Sequence, residues 1–303
     1  MDELKLIEYA RRLPKAGPKV SLGIGDDGAI LPPPDANHEW ILTSDMLVEG
    51  VHFDPRVSRP QEWGKKAVHV NVSDVAAMGG LPQFMLVSIG LPKKYALSKA
   101  RHILKGINDA ARRWKITLVG GDTVRSEKIV IDVMMIGVIR AKRWVTRSGA
   151  KRGDVIFVSG KLGGSYESKK HLNFVPRVRE SQFLVRHYRV HAMMDLSDGL
   201  AKDLRTLTKA SQVGALLDER SIPLASPKLQ LKNAFLDGED FELLFCLSAK
   251  DARKLSRDKR VQAAGFHFYP IGKMEAASKG LYYMNAHQKK VPIPKAKDHH
   301  FQK

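Results

Sequence analysis

The sequence predicts a two-domain protein of the α/β (or α+β) class, and three observations support this. Apolar residues at helical spacing alternate along the chain with short apolar runs that are typical of strands. The 303 residues are 43% hydrophobic, which is enough for two cores of about 150 residues each. A polar, glycine-flanked break, GAKRG at 149–153, separates the halves. We therefore predict domains at 1–148 and 149–303.

Helical and strand-like segments alternate in each half of the chain. In the first half, the predicted helices are 2–13, 61–79 and 97–114, and the predicted strands are 40–48, 84–91, 115–121 and 128–139. In the second half, the predicted strands are 154–160, 241–247 and 267–273, and the predicted helices are 197–212 and 249–257. Residues 165–190, between the predicted strand at 154–160 and the predicted helix at 197–212, form a basic segment with a weak hydrophobic pattern.

The formal net charge of +19 raises the question of a nucleic-acid partner. Residues 140–189 hold 13 Lys/Arg against 3 Asp/Glu. This region lacks interleaved aromatic residues for base stacking and has no helix-turn-helix or RNP-like pattern. A basic surface near a site for an anionic small molecule explains the charge as well, so we expect no nucleic-acid partner.

The sequence favours a cytoplasmic protein without a membrane anchor. Cys246 is the single cysteine and lies in the apolar run FELLFCL, which suits a reducing compartment and offers no disulfide framework. The first residues form an amphipathic pattern without the apolar core of a signal peptide. No apolar run approaches the roughly 18 residues of a membrane span.

The stretch GIGDDGAI at 23–30 places Asp26 beside Asp27 among glycines and apolar residues. Its glycines satisfy G-x-G-x-x-G, but three prolines at 32–34 prevent the helix that a dinucleotide site needs. Adjacent carboxylates in apolar surroundings repel each other and resist desolvation unless a positive charge is near. Two interpretations remain at this point, a solvated acidic turn and a metal site.

Further aspartates lie in apolar sequence, at the end of a predicted strand or the start of a helix. They are Asp45, Asp74, Asp122, Asp195 and Asp198. A single aspartate of this kind is commonly a helix cap or turn former, but this recurrence favours a cluster of oxygen ligands. Mg²⁺ commonly joins such carboxylates to substrate phosphates. The Walker and protein-kinase signatures are absent, so an ATP-binding scaffold of another kind is required.

The motifs in this order resemble the thiamine-monophosphate kinases of the aminoimidazole-ribonucleotide-synthetase-like superfamily. They span residues 22–245 and read LGIGDDGAIL, TSDMLVEGVHF, NVSDVAAMGGLP, GGDTVRS, TRSGAKRGD, DLSDGLAKDL and DGEDFELLF. The resemblance implies phosphorylation of thiamine monophosphate to thiamine diphosphate with ATP and several Mg²⁺ ions. It also implies a synthetase-like fold, with an N-terminal sheet domain that pairs in a homodimer and a C-terminal α/β domain that closes the site.

The resemblance also implies roles for individual residues, with no acid–base catalyst among them. Asp45, Asp122 and Arg147 would position and neutralise phosphates. The implied metal ligands are Asp27, Thr43, Ser44, Asp45, Asp74, Asp122, Asp195 and Asp198. The implied ATP contacts are Gly121, Asp122, Arg147 and Ser197, and the implied substrate contacts are His52, Glu239 and, by a loose match, Phe301.

The chain departs from the family pattern after Ser165, where a helical segment is shortened by roughly twenty residues. This change affects the wall of the second domain and the substrate pocket beside it. Two alternatives stay open: another ATP-dependent enzyme of the superfamily, and a non-catalytic nucleotide- or RNA-binding module. Selenophosphate synthetases and hydrogenase-maturation relatives would need a reactive cysteine that Cys246 does not supply by its position.

Overall fold

The structure is a computed structural model that describes residues 21–22, 26–31 and 35–295. The predicted helix at 2–13 and Phe301 lie outside the described residues. The described chain forms two mixed sheets with helices packed on them, which confirms the predicted α/β class. Within the described residues, no helix is long and apolar enough to span a membrane.

The first sheet has five strands in the order β1-β2-β5-β3-β4. They are β1 (Ala29–Leu31), β2 (His38–Val48), β3 (Leu81–Leu91), β4 (Thr117–Arg125) and β5 (Val130–Arg140). Helices α1 (Pro60–Ala77) and α2 (Leu97–Trp114) belong to this half. All neighbouring strands are antiparallel except β3 and β4. Parallel neighbours need a crossover, and α2 provides it.

The second sheet has seven strands in the order β12-β11-β8-β10-β6-β9-β7. In chain order, its elements are β6 (Val155–Val158), α3 (Lys170–Asn173), α4 (Val178–His187), β7 (Val190–Asp195), α5 (Leu200–Ser211), β8 (Val213–Asp218), α6 (Leu231–Leu236), β9 (Leu243–Leu247), α7 (Ala249–Leu255), α8 (Lys259–Ala263), β10 (Tyr269–Ala276), β11 (Leu281–Met284) and β12 (Lys290–Pro292). Cys246 is fully buried in β9, as the apolar run predicts.

The structure adds elements that periodicity does not reveal. The basic segment at 165–190 contains α3 and α4, and β7 follows it directly. The helix predicted from 197 begins only at Leu200, because residues 196–199 form the turn that carries Ser197 and Asp198. Strands β8, β11 and β12 escape the sequence pattern because they are short and most of their residues keep some exposure.

Helix α1 lies between the two sheets and is buried on nearly every side. An amphipathic pattern is therefore absent, and polar residues on this helix need partners inside the protein. His69 hydrogen-bonds the Phe174 carbonyl (2.9 Å), and Ser73 bonds a carboxylate of the second sheet. The helix thus holds side chains of both halves at fixed positions.

Two glycines bring α1 and α2 into close contact. A Cβ on Gly64 would lie 2.1 Å from the Ile103 carbonyl oxygen, and one on Gly106 would lie 2.0 Å from that of Gln61. Any side chain at either position would separate the helices. The close crossing fixes α1 in position, and with it the acidic residue near its C-terminal end.

Candidate active site

Three of the predicted aspartates meet at the junction of the two sheets. Asp27 precedes β1, Asp74 lies in the last turn of α1, and Asp195 ends β7. One carboxylate oxygen of each lies within 4.8 Å of the others. Chain segments nearly 170 residues apart therefore build one acidic centre.

Hydroxyl groups orient two of these carboxylates. Thr43 donates to Asp74 with its Oγ1 2.6 Å from Oδ2, and Ser73 donates to Asp195 over the same distance. Asp45 follows Thr43 by two positions on β2, so it lies on the same face of the sheet. Its negative charge is among the causes that raise the pKa of Asp74.

Arg147 supplies positive charge to the pair of adjacent aspartates. Its guanidinium donates two hydrogen bonds to Asp27, from Nη2 to Oδ1 (2.7 Å) and from Nε to Oδ2 (3.2 Å). Its backbone N–H donates to Asp26 (3.1 Å). The Arg147 guanidinium therefore supplies part of the positive charge that the two carboxylates require. The family resemblance assigns this same residue to ATP binding.

The centre nevertheless carries more negative charge than Arg147 offsets. Burial and the neighbouring Asp27 raise the pKa of Asp26 to about 7, and the same two causes raise that of Asp195 to about 7. Burial, followed by the charges of Asp45, Asp195 and Asp27, raises the pKa of Asp74 well above its usual value. Carboxyl groups this crowded hold protons at neutral pH unless another cation joins them.

The donor set fits a hard divalent cation. Mg²⁺ prefers oxygen ligands, and carboxylates with nearby hydroxyl groups are the ligands present here. The Oδ1 of Asn71, one turn before Asp74, is buried without a hydrogen-bond partner in the described structure. A divalent cation at this centre would neutralise the clustered carboxylates whose pKa values are raised.

Two loops of the second sheet run side by side at the edge of the acidic centre. The Glu239 N–H donates to the Ser197 carbonyl (2.7 Å), and the Phe241 N–H donates to that of Leu196 (2.8 Å). Both Glu239 and Phe241 have a left-handed backbone, with φ of 62° and 50°. Non-glycine residues rarely adopt this conformation, which is found disproportionately at functional sites.

Glu239 meets His52 through a buried lysine. Lys66 of α1 is fully buried, and its Nζ donates to Glu239 Oε2 (2.5 Å) and to the His52 carbonyl (2.7 Å). The His171 Nδ1 lies 3.2 Å from the same Glu239 oxygen. Although burial opposes ionisation of Glu239, the bonds to His171 and Lys66 lower its pKa. The two implied substrate contacts are thus joined through one buried lysine.

Other predicted residues lie apart from the three central carboxylates. Ser44 points to the opposite face of β2 and bonds Asp132 (3.2 Å). Gly121 and Asp122 are on β4, the edge strand, which is exposed along its whole length. Asp198 lies on the turn before α5 and pairs with Lys202 (3.0 Å).

Sequence reasoning missed several residues of this region. Asp203 is buried in the first turn of α5, and its Oδ2 accepts a hydrogen bond from the Asp198 N–H (3.0 Å). Its position in the motif DLSDGLAKDL could have identified it from the sequence. Burial and the charges of Asp198 and Asp195 raise its pKa well above the usual value. Lys66 and His171 gave no signal, because isolated cations in a basic chain look like surface residues.

Part of the positive charge in the basic segment has a structural use. Arg177 forms two hydrogen bonds to Glu242, from Nε to Oε2 (2.6 Å) and from Nη2 to Oε1 (2.7 Å). Lys170 reaches Glu242 (3.0 Å) and Asp240 (3.3 Å). Both carboxylates are buried, so these cations offset charge within the protein.

Two family models match most of the chain. The N-terminal domain of AIR synthase related proteins matches residues 25–139, and the C-terminal domain matches residues 151–283. The unmatched interval contains the predicted boundary at 148/149, which stays a prediction.

Curated relatives and a solved structure identify a smaller family within the AIR synthase related proteins. The thiamine-monophosphate kinase of Bacillus subtilis is 33% identical over 332 aligned positions, covering 99% of this chain and 100% of the relative. That of Rhodopirellula baltica is 34% identical over 266 positions, covering 82% and 83%. The structure of AaThiL complexed with AMPPCP and TMP superposes with a TM-score of 0.81 at 30% identity, covering 95% of this chain and 94% of that one.

Proposed function

Because the chain belongs to the thiamine-monophosphate kinase family, we propose that it converts thiamine monophosphate to thiamine diphosphate by direct in-line phosphoryl transfer from ATP, with Mg²⁺. Membership of the family makes it an ATP-dependent kinase of this substrate. The Mg²⁺ requirement, the in-line path and the lack of a phosphoenzyme are the proposal. The observation that carries the metal requirement is the convergence of Asp27, Asp74 and Asp195 within 4.8 Å.

The reaction needs no general base. A phosphate oxygen of thiamine monophosphate forms a bond to the γ-phosphorus of ATP, while the bond from that phosphorus to the β,γ-bridging oxygen breaks and ADP leaves. A phosphate monoester has a second pKa of about 6, so the nucleophile is already ionised at neutral pH. The protein has to position two polyanions and offset their repulsion.

The acidic centre would hold Mg²⁺ through Asp27, Asp74 and Asp195, with Asp45 and Thr43 beside them. Ser44, Asp122 and Asp198 remain proposed ligands on the strength of the resemblance. Bound Mg²⁺ supplies neutralisation of the phosphate charges. The chain's own contribution is orientation: Thr43 and Ser73 fix two carboxylates, and the Arg147 guanidinium holds Asp27 through two hydrogen bonds.

For the nucleotide, we propose contacts from Gly121, Asp122, Arg147 and Ser197. Arg147 has the fork geometry that binds phosphate oxygens in pairs, and it lies at the acidic centre. For thiamine monophosphate, we propose His52 and Glu239. The bond from Lys66 to both residues supports a shared pocket. A cytoplasmic location, where ATP is plentiful, belongs to the same proposal.

We also propose a homodimer formed through the face of the first sheet that α1 does not cover. Large apolar side chains are exposed on this face: Met46, Leu81, Phe84, Leu86 and Val124. A patch of this kind on a folded chain commonly marks a protein interface. Asp122 lies on the same exposed strand β4, so a partner copy on this face would stand next to it.

The test is direct detection of product by mass spectrometry. Purified protein with ATP, Mg²⁺ and thiamine monophosphate should yield thiamine diphosphate and ADP, and both Asp45→Asn and omission of metal should abolish them. A phosphorylated protein intermediate would contradict direct transfer. RNA binding with steep salt dependence and no ATP turnover would favour the non-catalytic alternative.

A further inference from the structure

The segment that departs from the family pattern brings an aromatic residue to the substrate pocket. Tyr166 follows Ser165 directly, and burial together with the neighbouring Glu239 carboxylate raises the pKa of its hydroxyl, so the two side chains lie side by side. Its ring stacks on His171, with centroids 4.5 Å apart and an interplanar angle of 34°. His171 in turn contacts Glu239. Tyr166 and His171 therefore lie beside Glu239, a proposed substrate contact.

Tyr166 is more exposed than a packing role explains. Its side chain makes these two contacts and is still 47% exposed. One side of the ring lies against His171, so this exposure belongs to the rest of the residue. A large, partly exposed aromatic side chain that packs against a second ring is a typical binding surface.

We propose that Tyr166 is a substrate-binding residue whose ring packs against the cationic thiazolium ring of thiamine monophosphate. This inference rests on the proposed function and names a residue for its substrate pocket. Thiamine carries a permanent positive charge on its thiazolium ring, and an aromatic face attracts such a cation through its quadrupole.

The charges of the pocket explain why an aromatic face is needed. Glu239 is paired with the buried Lys66 over 2.5 Å, so much of its charge is already offset inside the protein. The open ring of Tyr166 supplies attraction for a cation without a further buried charge. Its contact with the His171 ring also restricts the Tyr166 ring, so less conformational freedom is lost on binding.

The test compares Tyr166→Leu and Tyr166→Phe with Tyr282→Leu. Tyr282 is a matched control, because a cation also lies over its ring, with Lys290 Nζ 4.1 Å from the ring centroid. Tyr282 itself is on β11 in the second sheet. Thiamine monophosphate binding is measured by calorimetry, and KM values for both substrates by product formation. Thermal unfolding confirms that each variant is folded.

We expect Tyr166→Leu to raise both Kd and KM for thiamine monophosphate roughly tenfold, with kcat and the KM for ATP within about twofold. Tyr166→Phe keeps the ring and should lose only about two- to threefold. The control should match the wild type. A neutral thiophene analogue of the substrate should bind the wild type and Tyr166→Leu equally.

An unchanged Kd in Tyr166→Leu overturns the inference, and so does an equal loss for the cationic and neutral ligands, since that would indicate packing alone. In both cases the wild type still makes thiamine diphosphate, so the proposed function stands. If the wild type neither binds nor phosphorylates thiamine monophosphate, the proposed function and this inference fail together.

Discussion

The Oγ of Ser73 lies 2.6 Å from Oδ2 of Asp195 and donates a hydrogen bond from the central helix to the second sheet. Both residues are buried, so neither can exchange this partner for water. The bond lowers the pKa of Asp195 against the burial that raises it. It therefore connects the packing of the two halves with the charge of the acidic centre.

Removal of this hydroxyl should destabilise the protein. Ser73→Ala leaves a buried carboxylate without its donor, and we expect the free energy of unfolding to fall by about 1–3 kcal/mol. Denaturant titration followed by tryptophan fluorescence measures this loss. Ser256→Ala is the control, because that exposed hydroxyl bonds only the carbonyl of Arg253. Equal stabilities for the two variants would contradict the role given to Ser73.

The metal-free protein should become less stable between about pH 4 and pH 7 through Asp195. Its pKa is about 7 in the fold, against an ordinary value of 3.8. In this interval the folded state binds the proton that the unfolded state has lost, so stability falls as the pH rises and levels off above pH 7. Asp195→Asn cannot ionise, and it should melt at a higher temperature than the wild type at pH 8.

The advantage of Asp195→Asn should shrink towards pH 4 and reverse when Mg²⁺ is added, because the ionised carboxylate then has a partner. Thermal unfolding at several pH values, with and without Mg²⁺, tests both statements. Glu127→Gln, an exposed residue between β4 and β5, is the control and should follow the wild type. A wild type that does not respond to Mg²⁺ would speak against the metal site.

The contribution of Lys66 to the free energy of unfolding should depend on the charge of Glu239, its buried partner. Lys66→Met leaves the Glu239 carboxylate buried without its main cation, and we expect a loss of about 3–5 kcal/mol. Lys66→Met combined with Glu239→Gln removes both charges and should recover much of it. Denaturant titrations of the single and double variants give the coupling energy.

Lys105→Met provides the comparison for this ion pair. Lys105 pairs with Asp109 over 2.8 Å, but both side chains are about half exposed, so its loss should cost less than about 0.5 kcal/mol. Additive effects of Lys66→Met and Glu239→Gln would show that the two residues do not act as a pair.

The exposed face of the first sheet should mediate association. We expect the wild type to sediment as a dimer, and the double variant Leu86→Glu with Val124→Glu to sediment as a monomer, since buried unpaired charge opposes the contact. Leu104→Glu on α2 adds the same charge at a residue 48% exposed, and it should remain dimeric. A monomeric wild type at micromolar concentration would refute the proposed interface.

The fold class and the set of acidic residues follow from the amino-acid sequence alone. Strands β2, β3 and β5 and helices α1 and α2 are long, so their apolar patterns locate them within a few residues. Carboxylates in apolar sequence are costly, which is why Asp27, Asp74 and Asp195 stand out among the other acidic residues of the chain. The family relationship is likewise visible in the order of short motifs.

Long-range packing, by contrast, sets which of these residues meet and what pairs with them. Asp27 and Asp195 come together because the turn before β1 and the end of β7 both reach the last turn of α1, a relationship that no local pattern encodes. Arg147, Lys66 and His171 look like ordinary cations of a basic chain, and their roles follow from the buried carboxylates that they reach. Tyr166 comes to lie against His171 because tertiary contacts, rather than local propensity, fix the path of residues 165–171.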